Sequence, residues 1–203
     1  LIKDETPAEA VFHFPGGLSD YLNEAIEGRT RVTKDIFAGN IKKANGHGNV
    51  EWACAWIADE DGFSTSYCNT IPTAEGGTHE NGLRAGIGKA VRNFIDTHNL
   101  SPKGVTLTAE DIREGMTGVL SVFIAEPQFQ GQTKDRLNNP EVLSAVDGLV
   151  RPALEHWLNN NQSVAESIVA RIILAARARE ASRAAQQEVV RKGPTAGRVN
   201  LPG

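Results

Sequence analysis

The chain reads as an α+β fold: a mixed β-sheet with helices packed on one face and a long C-terminal helix protruding from it. Three observations predict this. Strand-like and helix-like runs follow in the order strands, helix, strand, helices, without strict alternation. The helical periodicity over 142–158 puts Val142, Val146, Leu149, Val150, Ala153, Leu154, Trp157 and Leu158 on one apolar stripe. The next helical run begins apolar nearly all round, at Ile168, Val169, Ile172, Ile173 and Leu174. It then turns to Ala, Arg, Glu and Gln, as a rod leaving its domain would.

Taken in order, 11–14 reads as a strand and Pro15-Gly16-Gly17 as a turn before an amphipathic helix over 18–26. A polar linker over 29–35 leads to a strand over 36–43 and a turn at Asn45-Gly46-His47-Gly48. Runs 50–58 and 63–71 read as a hairpin around Asp59-Glu60-Asp61-Gly62. Cys54 and Cys68 are roughly symmetric about that turn, a placement open to cross-strand contact; reduced core thiols are the expectation.

After the loop 71–77, Thr78 is positioned to cap a helix over 79–97. Thr108, with Asp111 three residues on, marks a capping box for a short helix through Glu114. The strand 119–125 leads into a loop at Gly131-Gln132-Thr133-Lys134-Asp135-Arg136-Leu137, and a helix starts near Pro140. Pro152 lies within that helix and predicts a kink. Asn159-Asn160-Asn161 breaks the pattern, and the last helix runs over 163–192, roughly 45 Å at 1.5 Å per residue. The expected division is an α/β core over 1–158, a helical arm over 163–192 and a Gly/Pro-bearing linker over 193–203.

Composition narrows the function classes. The 203 residues are 40 % apolar and 23 % charged, enough for one domain with a sizeable core. A net charge of −4 and a pI of about 5.8 speak against a free-standing nucleic-acid binder. No apolar run is long enough to span a bilayer and the charged first residues are no signal peptide, so the expectation is a cytoplasmic protein without a membrane partner. The abrupt ends are those expected of an excised fragment.

Most enzyme patterns fail. His79-Glu80 has no second His four positions after the first, so it is not a zincin helix, and no Cys/His spacing fits zinc; no metal ligands are assigned. There is no Gly-x-Ser-x-Gly elbow. Gly86-Ile87-Gly88-Lys89 sits inside a helix and reads as small-residue packing.

The Gln132-Thr133-Lys134 loop stands out. An amide, a hydroxyl and a flexible cation sit side by side, where Lys supplies a point charge and Gln supplies NH2 donors to a phosphate. As a bare pattern this is usually a solvated loop. Arg84, Lys89 and Arg92 mark the helix over 79–97, and the arm over 162–192 holds six Lys or Arg against three Glu. Both also read as solvated helix faces.

Longer blocks carry a resemblance. Tyr67-Cys68-Asn69-Thr70-Ile71-Pro72 with Glu75-Gly76-Gly77-Thr78-His79-Glu80 resembles the entry into the main helix of the transducer domain of bacterial type IIA topoisomerases. Glu110-Asp111-Ile112-Arg113-Glu114-Gly115 and Gln130 through Leu137 resemble that family's next two blocks. Ala175-Ala176-Arg177-Ala178-Arg179-Glu180-Ala181 resembles its C-terminal arm, and Leu201-Pro202-Gly203 the start of its DNA-gate segment. The blocks fall in family order, and Pro127-Gln128-Phe129-Gln130-Gly131 is more similar to the topoisomerase IV branch than to the gyrase branch.

The resemblance implies a fold shared with a ribosomal-protein domain and GHMP kinases, with a left-handed βαβ crossover. It implies a GHKL ATPase domain before this chain and a homodimeric clamp of two B subunits that closes when ATP and Mg²⁺ bind. The topoisomerase A subunit and DNA complete the implied assembly. It gives Gln132 and Lys134 contact with the ATP γ-phosphate, Lys134 being the catalytic candidate. Arg84 inherits a place lining the DNA cavity, with Lys89, Arg92 and the arm arginines as weaker candidates. The ATPase motifs, gate carboxylates and cleaving tyrosine are absent, so the chain alone is expected to be inactive. A GHMP-type small-molecule kinase lacks its Gly-rich loop here. The middle domain of another GHKL ATPase is the remaining alternative.

Overall fold

The computed structural model describes residues 16–42, 48–58 and 62–193. The strand expected over 11–14, most of the turns at 45–48 and 59–62, and the tail beyond Gly193 lie outside the described residues.

Helix α1 (Leu18–Ala25) has no side-chain cap of its own. Glu51 of the sheet supplies one, its Oε1 accepting from the Leu18 N–H at 3.1 Å, where a carboxylate also suits the positive end of the helix. Its apolar stripe, Leu18, Leu22 and the following Ile26, packs on Ala53, Ala55, Tyr67 and Val119.

Among the described residues five strands form one mixed sheet: β1 (Phe37–Ile41), β2 (Asn49–Trp56), β3 (Ser64–Cys68), β4 (Ile71–Pro72) and β5 (Met116–Phe123). Their order is β1-β2-β5-β3-β4. β5 pairs antiparallel with β2, Cys54 opposite Gly118, and parallel with β3, Cys68 opposite Val122. The expected 50–58/63–71 hairpin therefore does not form: β5 lies between its two halves. β2 is buried on both faces, and β5 matches its full length, a long-range pairing that local turn symmetry cannot report. Cys54 and Cys68 are accordingly not cross-strand neighbours. Both are free and buried, and burial pushes their thiols up to about 12 and about 11.

The run 63–71 is split as well. Asn69 (φ 48°) and Thr70 (φ 68°) make a two-residue turn that folds β4 back on β3. The Asn69 side chain locks this turn to the end of β5, donating to the Ile124 carbonyl at 2.9 Å and accepting from its N–H at 2.8 Å.

The other face of the sheet carries α2 (Thr78–Thr97) and α4 (Pro140–Asn160), so these two long helices share one face and, among the described residues, the short α1 takes the other. Trp52, Cys54, Trp56, Leu120 and Val122 meet Leu83, Ile87, Val91, Val146, Val150 and Leu154 there. Two glycines let the helices approach. A Cβ at Gly82 would lie 2.6 Å from the Leu143 carbonyl, and one at Gly86 would lie 3.2 Å from the Val150 Cβ, whereas Gly88 faces open space. The packing reading of 86–89 thus holds at Gly86 and not at Gly88. Trp157 of α4 stacks on Trp56 with ring centroids 6.0 Å apart and tilts on Phe37 at 5.6 Å.

The capping box forms as expected on α3 (Ala109–Ile112): Thr108 Oγ1 accepts from the Asp111 N–H and the Asp111 carboxylate from the Thr108 N–H. Thr78 is not a cap. Gly77 takes the N-cap position at φ 137°, and the Thr78 hydroxyl is buried without a partner among the described residues. α4 runs as one helix through the exposed Pro152 to Asn161, whose Nδ2 donates to the Trp157 carbonyl at 2.9 Å. Helix α5 (Gln162–Lys192) starts immediately after it.

Candidate functional site

Leaving β5, the chain makes a narrow excursion that returns to α4. Phe129 bridges Leu137, the Gln130 N–H donates to the Arg136 carbonyl at 2.9 Å, and the Asn138 N–H to the Gln128 carbonyl at 2.7 Å. Asn139, buried, closes the base by accepting from the Gln128 N–H at 2.6 Å and donating to the Glu126 carbonyl at 3.1 Å. Gln132, Thr133 and Lys134 form the exposed tip. Among the described residues the side chains of Gln132 and Lys134 have no hydrogen-bond or ion-pair partner. Lys134 adopts a left-handed φ of 58°, which costs a non-glycine residue about 1–3 kcal/mol.

The loop is fixed to the start of α2. Gly77 bridges Leu137 in parallel; the Leu137 N–H donates to the Gly76 carbonyl at 3.1 Å, and the Thr78 N–H to the Leu137 carbonyl at 3.0 Å. The Glu75 N–H adds a bond to the Asp135 carbonyl at 2.9 Å, and the Arg136 guanidinium one to the Glu75 carbonyl at 3.3 Å. The two backbones run so close that a Cβ at Gly77 would collide with the Leu137 carbonyl and nitrogen. The Leu137 side chain is fully buried in the main core.

Below this junction lies a buried polar cluster that sequence reading did not detect. His79 Nε2 is 2.9 Å from Thr73 Oγ1, which is 2.8 Å from Ser66 Oγ, and Ser66 Oγ donates to Glu80 Oε2 at 3.0 Å. The only sequence signal was polar residues on otherwise apolar faces. Burial lowers the His79 pKa from 6.5 to about 4, so the ring is neutral at pH 7. A folded-state value below the unfolded one means that this contribution to stability is complete above pH 6.5 and is lost as the pH falls toward 4. Stability is therefore expected to decline over that window, and less so in His79→Gln. Denaturant titrations between pH 7 and 4 check this; identical declines in both proteins would refute it.

The three cations of α2 assigned to DNA, Arg84, Lys89 and Arg92, are engaged with protein groups. Arg84 pairs with Glu80 one turn earlier, its side chain 39 % exposed against 10 % for the carboxylate. Lys89 pairs with Asp147 of α4, and Arg92 donates to the Leu107 carbonyl at 3.4 Å. Each remains partly or fully exposed. The structure thus joins the base of the Gln132/Lys134 loop to residues 75–78 at the start of α2, with Arg84 held one turn beyond Glu80 and Lys89 and Arg92 farther along the helix.

The arm divides in two. Ala165, Ile168, Val169, Ile172 and Ala176 are buried, whereas every residue over 181–193 is exposed. A clasp missed from the sequence marks the boundary. Arg179 Nε and NH2 donate to the two Asp111 oxygens, each at 3.0 Å, and NH2 also donates to the Thr106 carbonyl at 3.0 Å. Burial raises the Asp111 pKa, but Arg179 and Thr108 outweigh it and hold the carboxyl below its ordinary range. One carboxylate therefore caps α3 and docks the arm.

Across most of this architecture, residues 17–188, the chain matches the family model for DNA gyrase B. The chain belongs to the DNA gyrase B family. It is 37 % identical over 206 residues to the B subunit of DNA topoisomerase 4 from Caulobacter vibrioides, covering 100 % of this chain and 29 % of that protein. The corresponding protein of Salmonella typhimurium is 43 % identical, covering 99 % and 31 %. The DNA gyrase B subunit of Mycolicibacterium smegmatis is 41 % identical, covering 95 % and 30 %. The chain spans under a third of the length of these relatives. Among solved structures, the 43K ATPase domain of Thermus thermophilus gyrase B superposes with a TM-score of 0.78 at 29 % identity, covering 86 % of this chain and 46 % of that one. The topoisomerase IV ATP-binding domain of Francisella tularensis gives 0.70 at 34 % identity, covering 82 % and 44 %. The chain is thus a segment of a type IIA topoisomerase B subunit.

Proposed function

We propose that this chain is the transducer segment of its B subunit, coupling ATP binding in a preceding GHKL domain to clamp closure and to passage of one DNA duplex through another. The observation that carries this reading is the pair of unpartnered donors, Gln132 and Lys134, on a loop stitched to the first turn of a long helix. The Lys134 ammonium supplies a compact positive charge to the terminal phosphate, and the Gln132 amide a neutral donor. Under this reading the Mg²⁺ that accompanies ATP is held mainly by the preceding domain. When the loop docks on ATP, the bonds at 75–78 pass the change to α2. That differential contact shifts the population toward the closed clamp. DNA, a second B subunit and an A subunit are the partners of the whole enzyme under this reading.

Two results test it. Calorimetric titration of this chain alone with ATP should show no binding, because two side chains cannot hold a nucleotide without an adenine pocket; micromolar affinity would contradict the division of labour. In the complete enzyme, Arg84→Gln should impair strand passage. Because it also strands the Glu80 carboxylate, the Glu80→Gln/Arg84→Gln double variant is the control. If Arg84 meets DNA, the double variant stays defective and its salt dependence flattens by about one phosphate contact. Recovery of wild-type decatenation in the double variant would remove Arg84 from the DNA surface.

A further inference from the structure

We infer that Glu80 is a positioning residue that joins the Gln132/Lys134 loop to Arg84, so that seating of the loop on the start of α2 sets where the guanidinium is held. The inference rests on the reading of the loop as an ATP contact and of Arg84 as a DNA contact.

Glu80 is a nearly buried carboxylate whose described partners are only two. Ser66 Oγ, on β3, fixes one oxygen from the sheet side, and Arg84, one turn along α2, holds the other. The carboxylate fills the space under Gly76: a Cβ there would lie 2.7 Å from Oε2. Gly76 is also the residue whose carbonyl receives the Leu137 N–H. The strap that carries the loop thus lies against Glu80 on one side, while Ser66, itself bonded to Thr73, holds it from the sheet side. His79, the nearest other basic group in the cluster, is neutral at pH 7 and bonds Thr73, leaving Arg84 as the cation that compensates the buried charge.

A displacement of the 75–77 strap toward α2 is felt by Glu80, because the carboxylate lies where it would collide with a Cβ at Gly76. Ser66 belongs to a sheet strand and is the fixed partner. Arg84, partly exposed at the end of a flexible side chain, is the partner able to respond. The path is three contacts long: Leu137 backbone to Gly76, Gly76 to Glu80, Glu80 to Arg84.

The test uses the complete enzyme, A and B subunits with DNA. Glu80→Gln keeps the shape and the bond from Ser66 but releases the charge hold on Arg84. Glu80→Leu fills the same space with an apolar group and guards against a fold defect caused by an unsatisfied amide. ATP turnover is measured without DNA and across a DNA titration. Both variants should reduce DNA stimulation of turnover about fivefold or more, the size of an ordinary coupling between sites, while DNA-free turnover and ATP affinity stay within about twofold. Wild-type DNA stimulation in both variants overturns the inference. So does an equal loss of DNA-free and DNA-stimulated turnover, which would make Glu80 merely structural. Failure of the underlying reading looks different: Lys134→Ala would then turn over ATP normally whatever occupies position 80.

Discussion

Lys134→Ala in the assembled B subunit is expected to lower ATP turnover by about 10²–10³-fold while leaving nucleotide affinity within about tenfold. A cation at the terminal phosphate acts on the charge that develops as that phosphate leaves, so its loss falls on turnover more than on adenine recognition. Removing one such preorganised donor typically costs about 3–4 kcal/mol. The loop itself should survive the change, because Lys134 has no partner among the described residues and its backbone bonds run through Gln130, Arg136 and Leu137. Lys134→Arg should rescue poorly, since the planar fork is not a compact ammonium. Gln132→Ala should cost less, about 0.5–1.5 kcal/mol for a neutral donor. Steady-state ATPase with parallel nucleotide titration distinguishes the three variants. Wild-type turnover in Lys134→Ala would make the loop a solvated connector.

Leu137→Ala should damage the same function from the other side. The side chain is fully buried against the main core, and its truncation should destabilise this chain by about 2–5 kcal/mol in denaturant unfolding. The backbone bonds to Gly76 and Thr78 can still form, but without its anchor the loop is free to shift at its base. A displacement of about 1 Å at the tip is enough to cost roughly 10²-fold when a charged group must meet a reacting phosphate. Turnover should therefore fall although Lys134 is intact, and destabilisation without loss of turnover would show that the anchor does not position the tip.

The two variants probe parts of the site that were not equally legible in the sequence. The loop could be placed between a strand and a helix from local pattern alone, whereas its proposed role rests on the family resemblance, since a bare Gln-Thr-Lys triplet reads as a solvated loop. The capping box at Thr108 and Asp111 and the change in character along the arm were legible for the same reason: both are short-range patterns. The strand order was not. Runs 50–58 and 63–71 look like a hairpin from either side of their acidic turn, and only a partner from 116–123 separates them. Nor could spacing show that Arg179 would find Asp111 sixty-eight positions away, or that Glu80 would be buried beside Arg84 and not solvated. A carboxylate on a helix carries the same pattern in both cases, and only the tertiary structure sets it beside Gly76 and Ser66.

In the closed clamp the tip of this loop is expected to touch the terminal phosphate of ATP. Photocrosslinking the complete enzyme with an ATP analogue bearing a photoreactive group on that phosphate tests this contact. Mapping by mass spectrometry should place the label on the peptide containing Gln132, Thr133 and Lys134, with an excess of ATP abolishing it. Labelling confined to the preceding domain, with none on this loop, would contradict the account.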